Sequence, residues 1–147
     1  MKRYVLDASV AAKWFLPAEI ETLSEEALSL LRLYAKGEIQ FVVPDLFWAE
    51  FGNILWKAER QGRCARSTAD EAVQAIQELN MPTTPSRALL ESAFGIASEF
   101  GRTVYDSLYI ALAVHSKGEF ITADERLVQA LSVHLPVKWL GSAKLTN

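Results

Sequence analysis

Four carboxylates, Asp7, Glu50, Asp106 and Asp124, are the side chains in this sequence whose type and placement could do chemistry together. Brought within several ångströms in a partly desolvated cleft, such groups repel one another strongly. Protonation relieves the repulsion, but a hard divalent cation does so better. Mg²⁺ and Mn²⁺ prefer oxygen ligands and take only one or two carboxylates directly while keeping several waters. A cation held this way lowers the pKa of bound water and neutralises charge on a phosphate and its leaving oxygen, so phosphodiesters are hydrolysed without a protein nucleophile. His115 and His134 show no metal-ligand spacing and no serine–histidine pairing, and the seven glycines form no Walker or dinucleotide-binding loop.

Each acid also has a structural explanation. Asp106 and Asp124 stand at helix starts, where a carboxylate accepts free backbone N–H groups and meets the positive end of the helix dipole. Asp45, just after Pro44, fits the same description, and for it a cap is the preferred role. Asp7 ends a short apolar strand, an unfavourable place for an aspartate, and Ser9 is available to cap the following helix in its stead. By helical phase Phe47, Phe51, Ile54, Leu55 and Ala58 share one face, and Glu50 lies at its margin in a row with Asn53 and Lys57. A margin position suits a solvated glutamate and equally a ligand facing a crevice.

The elements that must position these acids follow from hydrophobic period and punctuation. Tyr4-Val5-Leu6 reads as a strand, and Val10 to Leu16 as a short helix stopped by Pro17. Thr22 to Lys36 reads as a helix ended by Gly37, Ile39 to Val43 as a strand, and Asp45 to about Gln61 as a helix. Two amphipathic helices, from Ser67 or Thr68 to Leu79 and from Ser86 to Phe100, flank an extended edge segment at Met81 to Pro85. Val104 to Ser116 is a helix, Glu119 to Thr122 a strand, Asp124 to Leu131 a helix and Pro136 to Leu140 a last strand. Short apolar strands alternating with helices predict a three-layer α/β/α sandwich with a parallel sheet of about four or five strands. In an open parallel sheet, ligands bind beyond the carboxyl ends of the strands, which is where these acids fall.

At 147 residues, half of them hydrophobic, the chain is expected to form one domain over residues 1–147. Net charge is −3, from 15 basic and 18 acidic residues, which excludes holding nucleic acid by a broad basic surface. It leaves room for a few cations at the rim of a metal site, and Lys13, Lys57, Arg60, Arg63, Arg87 and Arg102 are available. Cys64 stands alone, so no intrachain disulfide or cysteine metal site exists, and its place between helices reads as a surface connection. The start, Met1-Lys2-Arg3, resembles a signal peptide, but its apolar run is cut by Asp7 and Lys13. No segment reaches the length of a membrane span, so a soluble cytoplasmic protein with no membrane partner is expected.

Four blocks resemble a known family. Tyr4-Val5-Leu6-Asp7-Ala8-Ser9-Val10 with Lys13-Trp14-Phe15 is similar to the opening of PIN domains of the VapC toxin type. Val43 to Glu50 resembles the family's second acidic motif, Tyr105 to Ala113 its third, and Phe120 to Leu127 its fourth. The resemblance spans nearly the entire chain. It implies an endoribonuclease dependent on Mg²⁺ or Mn²⁺, with Asp7, Glu50, Asp106 and Asp124 as its acidic site. Ser9 and Thr122 stand where the family often has hydroxyls near the metal. RNA is the implied substrate, a cognate antitoxin protein the implied partner, and a homodimer the implied assembly. By helical phase Trp56 lies off the core face of its helix and is a candidate contact for the antitoxin, with Trp14, Phe15 and Trp48 as lesser ones.

Three other functions compete. A phosphoacceptor receiver domain needs an aspartate after a middle strand and a lysine after a later one, whereas here Lys138 sits inside the last strand. A catalytically idle module of the same fold would act only through its partner, which the intact acidic set counts against. A structure-specific DNA nuclease would share the chemistry, since discrimination rests on 2′-OH contacts that the sequence does not locate.

Overall fold

The computed structural model describes residues 1–142. Among the described residues five strands form one sheet: β1 (Lys2–Leu6), β2 (Ile39–Pro44), β3 (Thr83–Thr84), β4 (Glu119–Thr122) and β5 (Val137–Trp139). Seven helices accompany them there: α1 (Ala8–Ala12), α2 (Ser24–Ala35), α3 (Leu46–Arg60), α4 (Arg66–Glu78), α5 (Ser86–Phe100), α6 (Val104–Ser116) and α7 (Glu125–Leu131). The order across the sheet is β3-β2-β1-β4-β5, and every pair is parallel. The architecture is the α/β/α sandwich expected from the alternation of short apolar strands with helices.

β1 is central, paired with β2 on one side and β4 on the other, and its Val5 and Leu6 are inaccessible and Tyr4 nearly so. The chain builds outward from it through β2 to β3, then returns to β1's other side to add β4 and β5. β3, at the edge, is only two residues long, and Pro82 and Pro85 bracket it, consistent with proline's exclusion from central ladders.

α6 lies across β1, β2 and β4, and its run from Ser107 to Ala113 is buried on all sides. That burial explains its near-absence of amphipathic pattern, since α5 packs along its other side and takes the solvent. α5 itself buries Leu89 and Ala93 and ends at Gly101, whose left-handed backbone (φ +68°) suits a residue without a side chain. Gly118, between α6 and β4, passes so close to β1 that a Cβ there would stand 2.6 Å from the Arg3 carbonyl oxygen.

The first helix differs from expectation. It begins at Ala8 and ends at Ala12, after which Lys13, Trp14 and Phe15 continue in tighter i→i−3 turns well before Pro17. Side chains beyond the helix hold this segment: the Trp14 indole N–H donates to the Ala27 carbonyl at 2.8 Å, and Lys13 donates to the Thr22 carbonyl at 2.7 Å. Lys13 is also only 8% exposed and pairs with Glu21 at 3.2 Å, so it is a buried anchor and not a rim cation. Arg63 approaches the same Glu21 at 3.8 Å. Cys64 is half-buried against the core, not on open surface. Among the described residues no helix is long and apolar enough to cross a membrane.

Candidate active site

The sheet reverses its direction of growth between β1 and β4, and the crevice beyond their carboxyl ends is the topological switch point at which open α/β sheets bind ligands. Asp7 leaves β1 there, and Thr122 and Asp124 leave β4. A cleft of about 300 Å³ opens at this point, lined by Asp7, Ser9, Glu50, Asn53, Thr122 and Asp124 with Ala8 and Ile54. A larger hollow of about 400 Å³ lies beside β2, among Arg3, Gln40, Val42 and Ser116, and contains no carboxylate. Chemistry, not size, marks the candidate site.

Asp7 is held by both oxygens. Oδ1 accepts the Ser9 backbone N–H at 3.1 Å, which makes Asp7 itself the N-cap of α1; Ser9 lies inside the helix and does not replace it. Oδ2 accepts the Thr122 hydroxyl at 2.7 Å. Thr122 is buried, and its oxygen in turn accepts the Asp124 backbone N–H at 3.1 Å, so one hydroxyl ties the ends of β1 and β4 together. Burial pushes the Asp7 carboxyl above its ordinary value, the Thr122 and Ser9 hydrogen bonds pull it back, and the charge of Asp106 adds to the rise.

Glu50, on α3, is half-buried and accepts the Tyr109 hydroxyl at 2.6 Å. Burial raises its pKa, the Tyr109 bond lowers it, and Asp7 and Asp106 raise it further. Asp106 sits in the first turn of α6, but the cap is Thr103, whose hydroxyl accepts the Asp106 N–H at 3.1 Å. Its carboxyl is therefore not used for capping. Burial raises its pKa, Arg102 opposes this, and Asp124 adds to it. Asp106 does not line the cleft but stands close enough for Asp7 and Glu50 to feel its charge. Asp124 is exposed and does cap its helix, accepting the Leu127 N–H at 3.1 Å.

The structure thus places three of the four expected acids, Asp7, Glu50 and Asp124, in one cleft with Ser9 and Thr122, while Asp106 stands outside its lining but near enough to raise the pKa of Asp7 and Glu50. Asp45 is not among them. It makes no capping bond to α3, and instead accepts the N–H and hydroxyl of Ser86 at the start of α5. Two neighbours escape sequence reasoning as functional residues. Asn53 lines the cleft one turn beyond Glu50, and Tyr109 supplies Glu50's hydrogen bond. The signal for Tyr109 was a phenol amid the apolar residues of a wholly buried helix, where a hydroxyl needs a partner.

The donor set fits a hard divalent cation. It consists of oxygen ligands only, and three of the four carboxyls are raised by burial and by one another, leaving negative charge that needs a counterion. Among the described residues no three acidic, histidine or cysteine side chains stand as a ready ligand shell. Mg²⁺ does not require one, because it binds through one or two carboxylates and keeps water elsewhere.

Known proteins share this sequence pattern and this fold. The PIN domain model matches residues 4–130. Ribonuclease VapC3 of Pyrobaculum aerophilum is 30% identical over 129 residues, which cover 86% of this chain and 93% of that protein. Three solved structures share the fold. The crystal structure of PAE2754 from Pyrobaculum aerophilum superposes with a TM-score of 0.64 at 22% identity, covering 88% of this chain and 79% of that one. A toxin-antitoxin complex from Klebsiella pneumoniae gives 0.60 at 14% identity (94% and 96% covered), and VapBC2 from Rickettsia felis bound to a DNA fragment from their promoter gives 0.61 at 10% (93% and 98%).

Proposed function

The chain belongs to the PIN-domain family, and from that membership and the clustered carboxylates we propose that it is a Mg²⁺- or Mn²⁺-dependent endoribonuclease, the toxin of a toxin–antitoxin pair. The observation that carries the proposal is the meeting of three acids from separated stretches of chain, Asp7, Glu50 and Asp124, in one cleft at the switch point, with Asp106 near enough to raise the pKa of Asp7 and Glu50 and with Asp7 fixed through both oxygens.

Asp7, with Asp106, Asp124 and Glu50, would hold the cation. Bound there, it would activate water and neutralise charge on the scissile phosphate. Asp7 cannot turn away, because the Ser9 N–H and the Thr122 hydroxyl fix its carboxylate plane. Glu50 is steadied by Tyr109, and Asp124 by its own helix. Arg102, beside Asp106, and exposed Lys57, one turn beyond Asn53, are placed to meet the phosphates of a strand entering the cleft. RNA is the substrate named for the similar VapC3 ribonuclease, which favours it over DNA here. A ribonuclease of this kind acts in the cytoplasm, where its substrate is.

The fold neighbours described as toxin–antitoxin complexes support an antitoxin as partner. Trp56 is 53% exposed over a groove between α3 and α4 whose apolar floor is Leu55, Ala69 and Val73 and whose rim carries Glu59, Arg66 and Asp70, a mixed surface that suits a partner's segment. Leu90 and Phe94, exposed one turn apart on α5, offer a second surface of the kind a homodimer covers. The test is incubation of the purified protein with an RNA and with DNA of the same sequence, in Mg²⁺, Mn²⁺ or EDTA. Cation-dependent cleavage of the RNA alone is expected. Cleavage of DNA alone would favour the nuclease of that substrate, and no cleavage of either the idle module.

A further inference from the structure

Tyr109 is the least expected group near the cleft. It lies one helical turn beyond Asp106 on α6, 2% exposed, with its ring stacked on Phe120 at a centroid distance of 5.0 Å and 24° between planes. A phenylalanine would satisfy that packing equally. The hydroxyl is tolerated in such a place only because it is partnered. It donates to Glu50 Oε1 at 2.6 Å, the length of a charge-assisted bond. Tyr109 therefore ties α6 to α3 at the cleft. Glu50 has a long side chain on a half-buried helix margin, and among the described residues Tyr109 makes its one hydrogen bond. Without it, nothing prevents the carboxylate from swinging out of the cleft to solvent.

We infer that Tyr109 is a positioning residue, whose hydroxyl fixes the Glu50 carboxylate beside Asp7 and Asp106 and so sets the affinity of the acidic cleft for its divalent cation. The inference rests on the cation-binding role proposed above. It extends that role to a side chain that does not touch the cation, in the manner of the outer partners that orient metal-binding carboxylates.

The test is Mn²⁺ affinity, read from the electron paramagnetic resonance signal of free Mn²⁺, for the wild type, Tyr109→Phe, Glu50→Ala and the double variant. Tyr109→Phe keeps the ring stacked on Phe120, and its unfolding midpoint without metal reports directly whether the fold is intact. We expect Tyr109→Phe to weaken Mn²⁺ binding about ten-fold. In the Glu50→Ala background the same substitution should change affinity little, because its effect passes through Glu50. Unchanged Mn²⁺ affinity in Tyr109→Phe, with the wild type binding normally, overturns the inference and leaves the cation site standing. A full ten-fold loss in the Glu50→Ala background overturns it too, since Tyr109 would then act by another route. If the wild type takes up no Mn²⁺, the cation-binding role itself falls and the inference falls with it.

Discussion

Replacing Thr122 with valine removes one buried hydroxyl and nothing else of comparable size. That hydroxyl donates to Asp7 Oδ2 at 2.7 Å and accepts the Asp124 N–H at 3.1 Å, in a residue 1% exposed, so water cannot take its place. Losing a hydrogen bond to a carboxylate costs about 1.5–3 kcal/mol and losing a neutral one about 0.5–1.5. The added methyl returns about 0.8 kcal/mol of apolar burial. The net is a destabilisation of about 2.5 kcal/mol, which in a chain of this length lowers the midpoint of thermal unfolding by about 5–10 °C. The assay is circular dichroism on wild type, Thr122→Val and Thr122→Ser at pH 8 and again in acid. Serine retains the hydroxyl and should lose about 1 kcal/mol at most. In acid, once Asp7 is protonated, its bond to Thr122 no longer involves a charge, and the valine deficit should shrink. A Thr122→Val midpoint within about 1 °C of wild type at pH 8 would refute the bridging role of this hydroxyl.

Stability without metal should run opposite to the usual acid denaturation. Asp7, Glu50 and Asp106 have folded-state pKa values above their ordinary 3.8, 4.5 and 3.8. Their contribution is then fully present below those ordinary values and lost as pH rises through the raised ones. Unfolding in EDTA should therefore occur at lower denaturant as pH increases above about 4, with Mg²⁺ or Mn²⁺ restoring stability at neutral pH; a flat profile indifferent to metal would contradict it. Asp45→Asn should keep cleavage near wild type, because Asp45 serves Ser86 at the start of α5 and not the cleft. A loss comparable to that of the cleft acids would place Asp45 in the site after all. Lys13→Met should leave the salt dependence of RNA binding unchanged, since Lys13 is buried against Glu21, whereas Lys57→Ala should flatten it by removing a phosphate contact. Equal slopes for both variants would remove Lys57 from the RNA path.

Local patterns in the sequence carry most of this fold. The α5, α6 and β4 limits coincide with expectation because each is bounded by strong punctuation: Pro85 and Gly101 around α5, Gly118 after α6, and Asp124 beyond β4. Strand-end placement brings Asp7 and Asp124 to one edge, since a parallel sheet delivers the carboxyl ends of its strands there, and Glu50 joins them from α3. What the sequence conceals is long-range pairing. Thr122 meets Asp7 across 115 residues and Tyr109 meets Glu50 across 59, and no helical or strand period encodes such partners. Capping partners are hidden from the sequence for the same reason. Ser9 and Asp45 have suitable chemistry, but Asp7 caps α1 because it already lies at the β1 end, and Asp45 turns to Ser86 of a distant helix. Lys13 looked exposed by type alone, whereas Glu21 and the Thr22 carbonyl, supplied by the following loop, allow its burial.

The most direct test of the account is a paired measurement on wild type and Asp7→Asn, prepared identically so that contaminating ribonuclease is excluded: cleavage of a total RNA pool, and Mn²⁺ binding on the same samples. Asparagine retains an oxygen for the Ser9 N–H, and its amide can donate to the Thr122 oxygen, so the variant should remain folded. Mn²⁺-dependent cleavage by the wild type is expected, with loss of both cleavage and tight Mn²⁺ binding in Asp7→Asn. An Asp7→Asn protein that cleaves RNA at the wild-type rate with the same dependence on metal would contradict it.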